Sequence, residues 1–276
     1  MGGVWTLAGA LPIFNRINYR RGCFMKKSFQ RVIATLNLFQ GKQSLTIFLL
    51  AAFFALTACG DDVSANDDEN GGTSPTTMTD ERDGQAYRIV TIGSQTWMAE
   101  NLNFDYKVAG ESYGSYCYDN SADSCAKYGR LYTWAAAMDS ATTGCGYGKT
   151  CAADSGRAQG VCPTGWHLPS RAEWVALFMA IGGQSTAGTA LKASSGWHDN
   201  GSGTDAYGFS VFPSGYRNGG GDYSHVGNGA YFWSASEDDA SIAYHMFLGY
   251  SYAHAFLDSG YNKYNAFAVR CVKDSD

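Results

Sequence analysis

The densest set of side chains able to do chemistry is Trp197-His198-Asp199-Asn200-Gly201, with Asp205 close behind. An indole face can stack on a sugar ring, and short carboxylates and amides offer acceptors and donors to its hydroxyls. The oxygens of Asp199, Asn200 and Asp205 also suit calcium, a hard cation that takes oxygen ligands. The competing reading packs Trp197 inward and leaves the polar residues to Asx-type turns. A second candidate rim, Gly219–Gly229, holds Tyr223 and His225 between glycines, and its competing reading is a plain surface loop. No Ser-His-Asp, HExxH, P-loop or GxSxG signature occurs. Carboxylates are everywhere in so acidic a chain, so none stands out as a hydrolytic pair. His167, between Trp166 and Leu168, reads as a satisfied structural histidine. His245 and His254, among aromatics, are expected to face one another across a hairpin.

Six of the eight cysteines follow Cys59. Cys117, Cys125, Cys145, Cys151, Cys162 and Cys271 are an even set, which in an exported chain reads as disulfides with fifteen connectivities open. Local spacing favours Cys117–Cys125 and Cys145–Cys151, leaving Cys162–Cys271. That last bond closes about 110 residues and is worth roughly 4–5 kcal/mol in the chain-entropy model. CxxC spacing is absent, which argues against a zinc–thiolate site.

Cys59 ends a different kind of segment. Leu45–Ala58 is a 14-residue stretch without charge, preceded by Lys26, Lys27, Arg31 and Lys42. It is short for a bilayer span but has the basic and apolar regions of a secretory signal. Its end, Leu56-Thr57-Ala58-Cys59-Gly60, resembles the bacterial lipobox, in which the cysteine is acylated and becomes the first mature residue. The alternatives are a cleaved soluble signal or a buried free cysteine. Residues 1–24 hold no second signal, and Met25-Lys26-Lys27 is the expected start. Residues 1–58 are therefore set aside as the signal region.

All 25 acidic residues follow Cys59 but only 13 of the 20 basic ones do, so the exported part carries about −12. Eight of those acids lie in Asp61–Asp83, mixed with Gly, Ser, Pro and Thr. Such a segment buries too little apolar surface to offset its ordering cost, so 59–83 reads as a lipidated cysteine and acidic tether. With no basic stripe, nucleic acid is excluded as a partner. An acidic run after a lipidated cysteine also resembles the surface-export signal of lipoproteins in Bacteroidetes-like bacteria.

Residues 84–276 suit one domain. They hold 17 tyrosines and 6 tryptophans but no long Leu or Val runs, which predicts an aromatic core under long, glycine-turned loops. Ala86–Ile92 and Gln95–Met98 read as strands across a tight turn. Leu131, Trp134, Ala135 and Met138 are spaced for a helix over Lys127–Asp139. Ser170 and Glu173 make a capping box for a helix over Arg171–Ile181, with Trp174, Leu177, Phe178 and Ile181 as its buried stripe and Gly182-Gly183 as its stop. Glu173 is expected to be spent on that cap. Phe209–Phe212, Tyr231–Ser234, Ala243–Leu248 and Ala266–Val272 read as strands. The fold class is α+β.

Six runs in order carry a family resemblance: Asp83–Tyr87, Gln95–Asn103, Cys162–Ser170 with Glu173-Trp174, Gly203–Phe209, Phe232–Ser236 and Ala268–Asp274. They resemble the Fibrobacter succinogenes major paralogous domain over Asp83–Asp274. The resemblance implies a secreted or lipid-anchored protein with a C-type lectin-like fold, akin to the formylglycine-generating enzyme. Such a fold has a small sheet joining the termini and long loops that form its variable surface, and its long bond fits Cys162 and Cys271; with the two principal helices read above, the chain is expected to be a mixed fold with long disulfide-braced loops. It carries no site across. The calcium-dependent sugar triplets of C-type lectins are missing, and Cys271 stands alone where the formylglycine-generating enzyme has a copper-binding pair.

The expected function is a non-catalytic module that binds glycan or protein through its loops, anchored by lipid to the outer membrane and facing outward. A structural envelope protein without a discrete ligand is the alternative, and an enzyme acting on an extracellular polysaccharide is a third reading. No cofactor is expected beyond possible calcium. Replacing Cys59 by Ala is expected to abolish fatty-acid labelling and release or mislocalise the protein; a variant still membrane-bound and cleaved at the same place overturns the anchor.

Overall fold

Two sheets meet along strands that are buried on both faces. The computed structural model describes residues 76–151 and 157–275. The signal region, Cys59 and residues 60–75 lie outside them. The first sheet runs in the order Thr77–Thr79, Ala86–Ile92, Gln95–Met98, Val272–Lys273 and Trp166–His167, antiparallel throughout. It joins the two ends of the domain. Thr77–Thr79 belongs to the stretch read as tether, so the folded part reaches at least to Thr76. Buried Asp80, which accepts from the Arg82 guanidinium at 2.6 Å, fixes the turn that follows.

The second sheet is larger than the one small sheet expected. Its order is Phe256–Asn262, Ile242–Gly249, Gly229–Glu237, Ser214–Arg217, Ala266–Ala268, Leu131–Thr133 and Ser115–Tyr116, with Tyr223–Val226 paired to Ser214–Arg217. The rim expected as a loop over Gly219–Gly229 is thus largely a hairpin. Side chains alternate across a strand, and here each face meets a separate core. Trp97, Phe232 and Ala268 enter one cluster; their neighbours Met98, Trp233 and Phe267 enter the other. The helix Arg171–Ala180 closes the first cluster with Trp174, Leu177 and Phe178. Its capping box is formed as expected, with Ser170 Oγ accepting from Glu173 N–H at 3.3 Å and the Glu173 carboxylate accepting from Ser170 N–H at 2.8 Å.

The expected helix over Lys127–Asp139 does not form. The chain is helical over Ala122–Tyr128, turns at Gly129, runs as strand over Leu131–Thr133 and makes one helical turn over Trp134–Ala137. Gly129 has φ +71°, and a Cβ there would sit 2.8 Å from the Asn101 carbonyl oxygen, so the strand cannot continue the helix before it. The second long helix is instead Gln184–Leu191, whose Gly188 lies where a Cβ would meet the His254 carbonyl oxygen at 2.6 Å. Phe209–Phe212 gives no strand, only a bridge between Val211 and Lys192, because Ser210 is left-handed at φ 52°. Ala266–Val272 splits between the sheets.

All three disulfides pair as expected, with Cα separations of 4.9, 5.3 and 5.9 Å, inside the usual range. Cys162–Cys271 ties the segment before the helix Arg171–Ala180 to the last strand. Beside it, buried His167 lies between two carboxylates, Nε2 2.7 Å from Glu173 and Nδ1 2.6 Å from Asp274. Glu173 therefore serves the histidine as well as the cap. Only an imidazolium donates from both nitrogens. Burial opposes its charge, but the hydrogen bonds and charges of Glu173 and Asp274 outweigh burial and raise the His167 pKa. Burial likewise pushes Glu173 up, and its bonds to His167 and Ser170 outweigh that and lower it.

The sign of the pH dependence follows. The histidine's contribution is complete below its ordinary value of 6.5 and lost as pH rises through the raised one. The glutamate's contribution is complete above 4.5 and lost as pH falls through the lowered one. The cluster is thus fully stabilising between those two values. In denaturant unfolding, His167→Gln is expected to be most destabilising in that window and less so at higher pH; an equal loss at all pH values contradicts the ion cluster.

Candidate functional site

The Trp197 loop folds inward. Trp197 is 6% exposed in the first core cluster, and its Nε1 donates to the Val211 carbonyl at 3.0 Å. Its face is therefore closed to a sugar. Asp199 and Asn200 are exposed and left-handed, at φ 49° and 56°, which makes the turn that tucks the indole in. His198 lies against Gly227, with Nδ1 2.9 Å from Asn228 Oδ1. Asp205 accepts from Ser210 N–H at 2.7 Å and from its hydroxyl at 2.5 Å. Tyr223 donates to Asn120 Oδ1 at 2.8 Å and packs on Tyr118, while His225 bonds Ser224. Trp197, His198, Asp205, Tyr223 and His225 are thus each engaged by the backbone or by a side chain outside this set, and Asp199 and Asn200 lie exposed. Among the described residues, no group of three or more His, Cys, Asp or Glu is placed to hold a metal ion. Nor do His245 and His254 face each other: His245 lies opposite Trp233 and Asp258 within the sheet, and His254 packs against Tyr252 and Phe256.

A cleft of about 660 Å³ opens elsewhere, between the loop around Tyr113, the disulfide loop 145–151 and the turn at Tyr264. Its tyrosines are the unusual feature. Tyr113, Tyr147 and Tyr264 are 49%, 55% and 43% exposed, in a domain whose other large aromatics are mostly buried or half-buried. Tyr147 and Tyr264 stand with ring centroids 5.1 Å apart and planes 54° apart. The ring of Tyr264 lies where a Cβ on Gly219 would be, 2.1 Å from its Cδ2, and its hydroxyl accepts from Asn262 Nδ2 at 2.9 Å.

A buried ion pair sets the other wall. Lys263 Nζ donates to Glu237 Oε2 at 2.5 Å and to the Lys149 carbonyl at 3.2 Å, and lies 4.3 Å from the centre of the Trp134 ring. The other oxygen of Glu237 accepts from Cys151 N–H at 2.7 Å, and Gly148 N–H donates to the Ala240 carbonyl at 2.8 Å. One carboxylate thus fixes the lysine of the cleft floor and the end of the loop that displays Tyr147, whose base is closed by Cys145–Cys151. Ser112, Thr133, Ser140 and Lys149 complete the polar lining. Among the described residues the lining holds no carboxylate, so paired acid and base are not part of it. The arrangement can stack flat apolar faces and bond hydroxyls.

Sequence reasoning missed this cleft because its three exposed tyrosines come from loops far apart in the chain. One local signal was available: Tyr147 between two glycines inside the short disulfide loop Cys145–Cys151.

No curated protein and no solved structure matches the chain. The sequence model of the Fibrobacter succinogenes major domain matches residues 90–273, which include both sheets' central strands, the helix Arg171–Ala180, the long disulfide and every wall of the cleft. On that match, the chain belongs to the Fibrobacter succinogenes major domain family.

Proposed function

We propose that the protein is a lipid-anchored, surface-facing module that binds glycan chains in the tyrosine cleft without cleaving them. The observation that carries this reading is the exposure of Tyr113, Tyr147 and Tyr264 together in one concave site. An exposed aromatic ring costs hydration free energy unless a ligand covers it, and a pyranose offers the flat apolar face and rim of hydroxyls such a site fits. The fold is read as C-type lectin-like, a reading supported by the sheet that joins the domain's two ends and by the long Cys162–Cys271 bond. The anchor rests on the apolar leader and Cys59, and the outward face on the acidic run that follows. An open cleft excludes little water, so affinity per domain is micromolar or weaker, and many copies on one cell supply avidity.

The test is a glycan-array screen of the full chain with and without calcium, followed by variants assayed against the best glycan. Tyr147→Ala and Tyr264→Ala are each expected to weaken binding by about 5- to 30-fold, the loss of one stacked ring, with the unfolding midpoint unchanged. Trp197→Ala is the converse case, expected to cost about 3–5 kcal/mol of stability as a core truncation. Equal glycan binding by both tyrosine variants removes the cleft as the site.

A further inference from the structure

A second cavity, of about 300 Å³, lies between the strand Ala86–Ile92, the turn Ala99–Asn103, the helix end at Lys127–Gly129 and the segment around Ser210. At its back is Arg270, 1% exposed. Arg270 Nε donates to Asn101 Oδ1 at 2.8 Å, Nη1 to the Phe209 carbonyl and Nη2 to the Ser210 carbonyl at 3.0 Å. All three acceptors are neutral, and among the described residues no carboxylate lies within 4 Å of this guanidinium. Burial pushes its pKa down to about 9, which still leaves a full positive charge at neutral pH.

Buried lysine in the same domain shows what a purely structural cation looks like. Lys192 has three N–H donors and spends them on the carbonyls of Gly249, Tyr250 and Tyr252 at 3.1 to 3.3 Å. A guanidinium has five N–H donors, so Arg270, which lines the cavity with its guanidinium against the Phe209 and Phe232 rings, keeps two after its three bonds. A buried charge without a counter-charge is costly. The cavity lining adds Arg88 and Lys127 against the single carboxylate of Glu100, a positive site on an otherwise acidic domain. Glu100 Oε1 bonds Arg88 Nε at 3.2 Å in a pair that is 39% and 42% exposed, so Arg88 is held at the mouth by a weak surface bridge. Asn103, also in the lining, has a buried Oδ1 without a hydrogen-bond partner.

We propose that this cavity binds the carboxylate of a single acidic sugar, with Arg270 and Arg88 as its anion anchors and Asn103 facing the ring hydroxyls. Two guanidiniums offer a carboxylate charge-assisted N–H donors. The volume holds one monosaccharide, and the polar lining suits hydroxyls better than a peptide's side chains. Bound there, the carboxylate displaces Glu100 from Arg88, so Glu100 competes with the ligand. The site is separate from the tyrosine cleft and independent of it.

The experiment titrates the full chain with D-galacturonate, D-glucuronate, neutral D-galactose and the dipeptide Ala-Ala, read by calorimetry and ligand-observed NMR. One uronate is expected to bind with a dissociation constant of about 1 mM, and galactose and Ala-Ala not to bind. Arg88→Gln is expected to weaken uronate binding about tenfold, the loss of a charge-assisted pair. Glu100→Gln is expected to strengthen it severalfold, because its amide still accepts the Arg88 backbone N–H but no longer holds the guanidinium. Both positions are surface-exposed, so the fold persists in each, and Tyr147→Ala leaves uronate affinity unchanged. Absence of uronate binding, equal binding of galactose, preference for Ala-Ala, or a Glu100→Gln variant that binds no more tightly each overturns the proposal.

Discussion

The segment Ala266–Lys273 is the constraint on which both sheets depend. Its first three residues pair with Leu131–Thr133 in the large sheet, and its last two pair with Trp97, Trp166 and His167 in the sheet that joins the domain's ends. Between them Ala266, Ala268 and Val272 point into one core cluster, and Phe267, Val269 and Cys271 into the other. A one-residue slip would exchange the two sets and place Phe267, stacked on Trp233 with ring centroids 4.2 Å apart, in the space that Ala268 fills. Register is therefore strongly specified, and Cys162–Cys271 locks it covalently.

The same geometry explains what could be read in the sequence. A strand half-buried on one side alternates polar and apolar residues, but a strand buried on both sides has no such period. Leu131, Tyr132 and Trp134 satisfy two cores at once, and their spacing imitates a helix that the left-handed Gly129 forbids. The helix Arg171–Ala180 was legible because its stop, stripe and cap are all local. Gln184–Leu191 was not, since its packing works by close backbone approach at Gly188 and its apolar stripe is only Ala187, Ala190 and Leu191. The disulfides followed from spacing. Trp197 misled because polar neighbours made a buried indole look like a surface one; the left-handed turn at Asp199 and Asn200 that decides its direction leaves no mark in composition. The tyrosine cleft is invisible in one dimension for a plainer reason: nothing but the fold brings Tyr113, Tyr147 and Tyr264 together.

Loops this long leave carbonyl groups that no strand or helix satisfies, and an orphaned buried carbonyl is costly. Here buried cations collect them. Lys192 gathers the carbonyls of the 249–252 turn, Arg270 those of Phe209 and Ser210, and Lys263 that of Lys149. A long side chain ending in several N–H groups can reach carbonyls from loops that never pair as strands, which an apolar side chain cannot do. Such a clamp gives little net stability, because desolvating the cation offsets much of the gain. Its value is geometric, since it ties together loops that do not pair as strands.

That division of labour bears on recognition. At the tyrosine cleft, Glu237 and Lys263 beneath the surface fix the loop, and the disulfide Cys145–Cys151 closes its base. The exposed Tyr147 ring stands against Tyr264. A residue that displays a ring without holding the loop can be exchanged at little cost to the fold, because substitutions away from caps, cores and buried networks shift stability only slightly. The scaffold can therefore keep its ion pair and disulfide while the presented side chains change what fits the cleft.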